Sequence, residues 1–251
     1  MTGHAPARIV AAVLAAGGGS RMGAPKAELV VGGARLVDRA VAAARDAGCH
    51  WIITVVRDGT AVPGADVVVN PDPGRGQRSS LTLALDRARG PAPTADAAPT
   101  ADLAPPVGPA AGPFVDPGAA AGAGAAGVDA VAVLLVDTPG IGADAVRAVL
   151  ASWRPGRVAV GRYGGRRGHP IVMAPRLWRE AIALAGADEG ARRFLAAHPD
   201  LVDEVPVPGD PADLDTPEDV RRWPGSRSPA AGSAADTSLL SGRPAPSGPD
   251  G

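Results

Sequence analysis

The chain has 251 residues, a formal net charge of -1 and a hydrophobic content of 45%. This balance is typical of a globular chain and provides no basic surface for a nucleic acid or an anionic membrane. No apolar run approaches the roughly 20 residues of a membrane span, and residues 1–8 lack the pattern of a signal peptide. The only cysteine is Cys49, which excludes an intramolecular disulfide. We therefore expect a cytoplasmic location, with no nucleic-acid partner and no membrane partner.

Apolar runs and helical periodicities alternate along the chain. The runs predict strands over residues 8–14, 51–56, 67–69, 130–136, 157–160, 171–173 and 202–207. The periodicities predict helices over residues 34–47, 76–89, 143–153, 175–185, 189–197 and 217–223. This order predicts an α/β fold of Rossmann-like type, in which helices cover both faces of a mostly parallel sheet as three α/β/α layers. Ligands bind such sheets beyond the carboxyl ends of the strands.

Two segments differ in composition from the rest of the chain. Residues 91–127 consist mostly of Ala, Pro and Gly and contain no Arg, and residues 224–251 are likewise rich in Ala, Pro and Gly. Neither segment carries enough bulky apolar side chains to offset the roughly 1–2 kcal/mol per residue that ordering the backbone costs. We therefore predict a disordered insertion at 91–127 and a disordered tail at 224–251. Residues 1–90 and 128–223 then form a single domain of ordinary size.

The first predicted strand leads into a glycine-rich turn, Leu14-Ala15-Ala16-Gly17-Gly18-Gly19-Ser20-Arg21-Met22-Gly23-Ala24-Pro25-Lys26. Glycine lets backbone N–H groups converge on an anion because it has no Cβ and tolerates unusual dihedral angles. Lys26 is the only lysine of the chain, and its compact ammonium is not interchangeable with a planar guanidinium. Arg21 adds a second cation to the same turn. The pattern predicts a phosphate-binding loop.

Two common phosphate-binding motifs do not fit this turn. A P-loop requires G-x-x-x-x-G-K-[ST], whereas Ala24 and Pro25 separate Gly23 from Lys26. The dinucleotide fingerprint G-x-G-x-x-G fails because Met22 stands where the last glycine of that motif should fall. The turn is therefore a different phosphate loop, with two cations inside it.

The turn resembles the signature L-A-x-G-x-S-x-R-M-G-x-x-K of the MobA-like nucleotidyltransferases, and within them the chain is most similar to the molybdenum cofactor cytidylyltransferases. The resemblance implies a fold of the nucleotide-diphospho-sugar transferase type and catalytic roles for Arg21 and Lys26. It also implies nucleotide contacts from the start of the loop, namely Leu14, Ala15, Ala16, Gly17, Gly18, Gly19 and Ser20. The chain departs from the signature at Ser20, which directly precedes Arg21 where the family has S-x-R.

Asp137 follows the strongest apolar run of the chain, in the sequence Leu134-Leu135-Val136-Asp137-Thr138-Pro139. A carboxylate at the exit of a buried strand lies at the same edge of the sheet as the first loop and is a hard oxygen ligand that suits Mg²⁺. The segment from Asp137 to Gly140 also consists of residues that are typical of turns. The pattern by itself therefore leaves two roles for Asp137 equally open, a metal ligand and a turn residue. The resemblance favours a metal ligand with a catalytic role, because the family has D-x-P at this place.

A second acidic segment, Asp213-Leu214-Asp215-Thr216-Pro217-Glu218-Asp219, precedes the last predicted helix. Thr216 as N-cap, Pro217 at the first helical position and acidic residues in the first turn are typical of a helix start. Helix capping does not account for Asp215. The resemblance to the family's D-x-D-T-P-E-D segment implies that Asp215 is a second metal ligand.

Two further stretches resemble family segments. Asn70-Pro71 and Gly76-Gln77-Arg78-Ser79-Ser80-Leu81 resemble N-P-x-x-x-x-G-x-x-S-S-L, which implies nucleotide contacts from Arg78, Ser79 and Ser80 at a helix N-terminus. Ordinary helix capping explains each serine equally well. Residues 165–170 resemble the G-x-R-G-H-P of the cytidylyltransferases, which implies acceptor contacts from Arg167, Gly168, His169 and Pro170. A packed core histidine is the alternative for His169.

The resemblance implies an enzyme that moves a CMP group from CTP to the phosphate of molybdenum-bound molybdopterin, with Mg²⁺ as cofactor and pyrophosphate as product. A molybdenum hydroxylase is the further partner that such a product would serve. The residues alone support only nucleotidyl transfer by positioning and electrostatics, without a covalent protein nucleophile. Two alternatives stay open, a transferase of the same fold with another phosphorylated acceptor and a non-catalytic protein that delivers the cofactor to a molybdoenzyme.

Overall fold

A seven-stranded sheet organises the part of the chain that the computed structural model describes, residues 7–57, 59–93, 127–186 and 190–224. Its strands are β1 (Ile9–Leu14), β4 (Ile52–Val56), β5 (Asp66–Val69), β6 (Ala130–Leu135), β7 (Val158–Tyr163), β8 (Arg166–Met173) and β9 (Val202–Pro206). A separate two-stranded ribbon consists of β2 (Val30–Val31) and β3 (Ala34–Arg35). The helices are α1 (Leu36–Asp46), α2 (Gln77–Ala88), α3 (Ala143–Ser152), α4 (Pro175–Leu184), α5 (Arg192–Ala197) and α6 (Pro217–Arg222).

The strand order is β5-β4-β1-β6-β8-β7-β9. β1 pairs in parallel with β4 and with β6, and β4 pairs in parallel with β5. β8 is antiparallel to both of its neighbours, β6 and β7, whereas β9 runs parallel to β7. The sheet is therefore mostly parallel with one reversed strand, which confirms the predicted α/β class. It also brings the carboxyl ends of β1 and β6 side by side.

Each face of the sheet carries its own buried cluster of apolar side chains. On one face α1 and α3 pack through residues such as Val37, Val41 and Val146. On the other face α2 and α4 pack through residues such as Leu85 and Trp178. Both clusters take residues from β1, since its alternate side chains point to opposite faces. Helices on both faces complete the predicted three layers, and burial of β1 and β6 explains why both read as continuous apolar runs.

The structure changes two of the predicted boundaries substantially. The helix predicted from residue 34 begins at Leu36, because the two preceding residues pair as β3. The strands predicted at 157–160 and 171–173 are the ends of one long hairpin, β7–β8, that turns through Gly164 and Gly165. Both of these glycines have positive φ, as a tight two-residue hairpin requires.

The hairpin contains a bulge next to the carboxyl end of β6. Val160 pairs with Ile171 and Gly161 pairs with Gly168, so His169 and Pro170 are additional residues on β8. The Tyr163 hydroxyl donates a hydrogen bond of 2.5 Å to the His169 carbonyl. Residues 166–170, for which the sequence predicts no element, are therefore part of a strand, and the bulge changes the direction of their side chains.

The described residues include only the edges of the two predicted disordered segments. Residues 94–126 of the insertion and 225–251 of the tail lie outside them, as do residues 187–189, the last of which is the first residue of the helix predicted over 189–197. The division into one domain with an insertion and a tail stays a prediction. Within the described ranges, no helix has the length and apolar character needed to cross a membrane.

Candidate active site

The glycine-rich loop leaves β1 at Leu14 and folds back on itself before the single lysine. The Met22 N–H donates to the Gly19 carbonyl at 2.7 Å, which closes a tight turn. Gly19 has a φ of 56°, and a Cβ at this position would collide with the Ala24 carbonyl. Glycine is therefore required at position 19 both by the backbone conformation and by the close approach of the returning chain.

Lys26 lies between two carboxylates at the end of this loop. Its Nζ donates to Asp137 Oδ2 at 2.7 Å and also to Asp215 Oδ1. The lysine side chain is 14% exposed, that of Asp137 21% and that of Asp215 48%. Burial by itself lowers the pKa of Lys26, but the charges and hydrogen bonds of Asp137 and Asp215 outweigh it, so that the pKa is raised. Lys26 is therefore charged throughout the physiological pH range.

A backbone hydrogen bond explains how Asp215 reaches Asp137 from a distant part of the chain. The Leu214 N–H donates to the Asp137 carbonyl at 2.8 Å, and Leu214 is buried. Asp215 then lies just before α6, where Thr216 and Asp219 form a capping box: the Asp219 carboxylate accepts from the Thr216 N–H at 2.8 Å. The predicted helix start is confirmed, and it fixes the chain on the other side of Asp215.

The carboxylates at this site fit a divalent cation. Asp137 Oδ1 is buried and has no hydrogen-bond partner among the described residues. The pKa of Asp213 is raised mainly by desolvation, and the nearby charges of Asp137 and Asp215 raise it further. The described residues contain no group of three or more acidic, His or Cys side chains placed to hold a metal. A cation at Asp137 and Asp215 would therefore complete its coordination with substrate or water oxygens, as Mg²⁺ commonly does.

A cleft of about 310 Å³ opens beside this cluster, between the glycine-rich loop and the start of α2. Of the predicted nucleotide-binding residues, those that line it are Leu14, Ala16, Gly17, Gly18, Gly19 and Ser80, together with the predicted catalytic residues Lys26 and Asp137. Ala15 is buried in the core instead, and its N–H bonds to the Val55 carbonyl at 2.8 Å. Ser20 and Arg21 are exposed on the turn and do not line the cleft.

The two serines at the start of α2 are held by a neighbouring asparagine. Asn70 is buried, and its Nδ2 donates to Ser79 Oγ and to Ser80 Oγ, both at 2.9 Å. The Ser79 hydroxyl in turn donates to the Gly76 carbonyl at 2.9 Å. This network orders the first turn of α2. Arg78 is exposed beside it and, like Ser79, is not a lining residue of the cleft.

A second cavity, of about 260 Å³, lies on the other side of Asp137, between α1 and the start of α3. His169 lines this cavity together with Thr138 and Pro139, whereas Leu135 and Val136 border both cavities. The pKa of His169 is lowered to about 4, mainly by desolvation, with the charge of Asp137 acting in the opposite direction. The imidazole is therefore neutral at physiological pH.

The remaining predicted acceptor residues are placed differently. The Arg167 guanidinium donates to Glu204 Oε1 at 2.7 Å on the edge strand β9, so this cation is already paired. Gly168 and Pro170 flank His169 in β8, and a Cβ at Gly168 would lie 3.0 Å from Cβ of Pro211. Their contribution is to shape the bulge that presents His169.

Sequence reasoning missed residues that line the cleft and one residue beside it. Pro73 and Gln77 line it on the α2 side, and no residue pattern distinguished them from ordinary loop and helix residues. Arg57 directly follows β4, and a Cβ at Gly18 would lie 2.5 Å from its Nη1. Arg57 is brought there by the pairing of β4 with β1, which is a tertiary contact without a local sequence signal.

The sequence profile of the MobA-like NTP transferase domain matches residues 11–202. The chain belongs to the MobA-like NTP transferase family. Among curated relatives, this MobA-like transferase is 30% identical over 227 residues to nicotine blue oxidoreductase of Paenarthrobacter nicotinovorans, covering 84% of this chain and 91% of that protein. The molecule is thus a member of a nucleotidyltransferase family, and one of its relatives is named as an oxidoreductase.

Several solved structures share the fold of this chain. Rv0371c from Mycobacterium tuberculosis superposes with a TM-score of 0.63 at 24% identity, covering 87% of this chain and 98% of that one. Another structure of Rv0371c, with a TM-score of 0.59 at 25% identity over 86% and 97% of the two chains, is a complex with manganese. A nucleotidyl transferase from Methanothermobacter has a TM-score of 0.60 at 18% identity over 85% and 94%. The fold is that of Rossmann-like nucleotidyltransferases of the nucleotide-diphospho-sugar transferase type.

Proposed function

We propose that this MobA-like transferase moves a CMP group from CTP to the phosphate of molybdenum-bound molybdopterin and releases pyrophosphate. The observation that carries the transfer step is the position of Lys26, which closes a glycine-rich loop at the edge of a cleft and pairs with Asp137 and Asp215. The choice of CTP and of a molybdopterin acceptor rests on the resemblance of the loop and of residues 165–170 to the cytidylyltransferases of the family.

In the proposed complex the triphosphate lies along Gly17, Gly18 and Gly19. The side chain of Arg21, which is exposed on the turn, rotates toward the phosphates. The base end lies toward Ser80 and the start of α2, where the cleft continues. A terminal phosphate oxygen of the acceptor attacks the α-phosphorus, the bond to the bridging oxygen of pyrophosphate breaks, and that oxygen keeps the electron pair. Arg21 and Lys26 stabilise the negative charge that grows on the α-phosphate and the leaving group.

Asp137 and Asp215 would hold a divalent cation, Mg²⁺ by preference, which neutralises phosphate oxygens when it is bound. The carboxylates themselves orient the ammonium of Lys26 toward the loop. No covalent intermediate with the protein is required, because positioning and electrostatic stabilisation supply the rate enhancement in reactions of this class.

We place the acceptor in the second cavity, on the α1/α3 side of Asp137. His169 and Thr138 line that cavity, and the two cavities share Leu135 and Val136 as a border. An acceptor phosphate that reaches over this border meets the α-phosphate from the side opposite the leaving group, as in-line displacement requires. The neutral imidazole of His169 can donate or accept a hydrogen bond there without adding charge.

The decisive assay incubates the full-length protein with each of the four nucleoside triphosphates, Mg²⁺ or Mn²⁺, and molybdopterin with and without molybdenum. Pyrophosphate release and the dinucleotide product are measured. We expect release with CTP only when the acceptor is present. Release with a sugar phosphate, methylerythritol phosphate or phospholactate in place of molybdopterin would instead support a transferase with another acceptor. Tight binding of a finished dinucleotide cofactor without any release would support a delivery protein for a molybdoenzyme.

A second candidate function is an oxidoreductase activity, since the relative with 30% identity over most of both chains is named nicotine blue oxidoreductase. The same cleft would then bind a nucleotide as an electron donor rather than as a CMP source. Incubation with NADH or NADPH and nicotine blue, followed at the absorbance of the reduced nucleotide, tests this directly. Oxidation of the nucleotide without pyrophosphate release from any nucleoside triphosphate would favour this candidate over transfer.

A further inference from the structure

We propose that Arg57 is a third cation of the glycine-rich loop and binds a phosphate group of the nucleotide's triphosphate across Gly18. This inference rests on the proposed function, because it assigns one more residue to the same nucleotide site. Arg57 directly follows β4, and β4 pairs in parallel with β1 up to Leu14 and Val55. The two strands therefore deliver Arg57 and the glycine-rich loop to the same edge of the sheet.

The contact between Arg57 and the loop depends on the absence of a side chain at Gly18. A Cβ at this position would lie 2.5 Å from Nη1 of Arg57, closer than real Cβ atoms come to another heavy atom. Gly18 is not among the glycines with positive φ, so its backbone conformation does not require glycine. A side chain at position 18 would push aside the flexible end of Arg57, so the contact, rather than the backbone conformation, depends on glycine here.

The charges around the loop explain why a further cation is needed. Lys26 pairs with both Asp137 and Asp215. The ammonium is thus neutralised by carboxylates that belong to the protein. Arg21 and Arg57 are exposed and form no ion pair with any described carboxylate. These two guanidinium groups are therefore the cations that the loop can offer to a phosphate without first breaking an internal ion pair.

Guanidinium and phosphate also match in geometry. A guanidinium presents a planar fork of N–H donors that pairs with two oxygens of one phosphate. Gly17, Gly18 and Gly19 line the cleft, and the guanidinium of Arg57, which is not itself among the lining groups, lies beside the middle one of the three. A triphosphate that follows these glycines passes within reach of the fork, whereas the base end of the nucleotide lies toward α2.

Arg45 provides a matched control. It lies over Gly64 in the same manner, since a Cβ there would collide with Nη2 of Arg45, and it donates to the Gly64 carbonyl at 3.2 Å. Arg45 is in the last turn of α1, and Gly64 precedes β5, so both are at the opposite edge of the sheet from the loop. Replacing Arg45 also removes an arginine side chain that lies over a glycine, but at a place that has no role in nucleotide binding.

The test measures binding of inorganic tripolyphosphate and of CTP to the full-length protein by titration calorimetry, with EDTA and separately with Mg²⁺. We expect Arg57→Ala to weaken both ligands at least tenfold, Arg57→Lys to recover part of the loss, and Arg45→Ala to bind as the wild type does. Equal affinity of Arg57→Ala and wild type would overturn the inference while leaving the proposed function intact. Weaker binding of CTP with unchanged binding of tripolyphosphate would overturn it as well, because Arg57 would then contact the nucleoside and not the phosphates. A wild-type protein that binds neither ligand would overturn the proposed function itself.

A double-mutant cycle isolates the Gly18–Arg57 contact. Gly18→Ala should weaken tripolyphosphate binding in the wild-type background, because the added methyl displaces the guanidinium. The same substitution should cause a smaller loss in Arg57→Ala, where it affects only the direct contact of the loop with the phosphate. Fully additive losses would contradict the inference, since Gly18 and Arg57 would then act on the ligand independently. As a control, Arg57→Ala should unfold thermally within a few degrees of the wild type, which verifies that the exposed Arg57 side chain is not needed for folding.

Discussion

Lys26 pairs with two carboxylates at once. Removing it takes a positive charge away from the proposed triphosphate site and leaves Asp137 and Asp215 without their counter-ion. We expect Lys26→Ala to lower turnover at least tenfold, equivalent to about 1.4 kcal/mol of transition-state stabilisation. Lys26→Arg should not restore the rate, because a planar guanidinium does not take the position of a compact ammonium between Asp137 and Asp215. Pyrophosphate release at saturating CTP measures both variants. Wild-type rates in both would remove the loop lysine from the mechanism.

The two carboxylates differ in exposure, and their substitutions should differ accordingly. Asp137→Asn keeps the size of the side chain and removes its charge, so activity should fall at least about a hundredfold, or about 2.7 kcal/mol. Asp215→Asn should cause a smaller loss of the same kind, since the Asp215 side chain is 48% exposed against 21% for Asp137.

Titration with Mn²⁺, followed by electron paramagnetic resonance, should show weaker binding in both carboxylate variants. This measurement separates a metal ligand from a turn residue. If Asp137→Asn turned over like the wild type at saturating Mg²⁺ and bound Mn²⁺ equally well, Asp137 would be a turn residue after all, the alternative that its sequence context allows.

At the scale of the element, the bulge in β8 determines how His169 is presented. Tyr163 fixes the bulge by donating to the His169 carbonyl, and the pKa of the imidazole is lowered to about 4 by desolvation. In the unfolded chain a histidine has a pKa near 6.5, so between about pH 4 and 6.5 the unfolded state binds more protons than the folded state. The contribution of His169 to stability is therefore present above pH 6.5 and is lost as the pH falls toward 4.

Chemical denaturation across this pH range tests the effect of the bulge on His169. The free energy of unfolding of the wild type should decrease by up to about 1.4 kcal/mol per pH unit on this account as the pH falls through the window. His169→Gln, which has no titrating side chain, should lack this part of the slope. Parallel pH profiles for the two proteins would show that the imidazole is as well solvated in the folded state as in the unfolded one.

The elements differ in how well the sequence predicts them. Buried runs such as residues 130–136 predicted β6 to within one residue, because strands buried on both faces carry a continuous apolar signal. The sequence missed most of the β7–β8 hairpin, since residues 161–170 are rich in Gly and Arg and acquire strand structure through pairing with each other. The pairing of Asp215 with Lys26 and Asp137 required the Leu214–Asp137 backbone hydrogen bond, and the approach of Arg57 to Gly18 required β4 to pair with β1. Neither contact leaves a local pattern.

At the scale of the whole molecule, the site lies at the carboxyl edge of the sheet, where a cavity opens on each of the two faces. The proposed nucleotide cleft opens on the α2 side and the second cavity opens on the α1/α3 side, with Asp137 at the end of β6 between them. Since β1 and β6 are neighbours, the loop that follows one and the carboxylate that follows the other are brought together by the strand order itself. The positions of the loop and of Asp137 therefore depend on the packing of β1 and β6 in the core clusters of both faces.

The Ala/Pro/Gly-rich segment at 91–127 connects α2 to β6, and we predict that the fold does not need it. Its composition offers almost no side chains to a core, and the entropy cost of closing a flexible loop grows only slowly with loop length. A variant in which a short Gly/Ser connection replaces residues 91–127 should unfold within a few degrees of the wild type and keep its rate of pyrophosphate release. The described contacts at the ends support this expectation, since α2 is anchored through Leu81 and Leu85, and β6 pairs with β1 along its whole length. The competing role is a lid over the cleft, because the segment leads into β6, the strand that precedes Asp137. A variant that folds normally but loses acceptor-dependent turnover would show that the segment acts in the reaction rather than only connecting two elements.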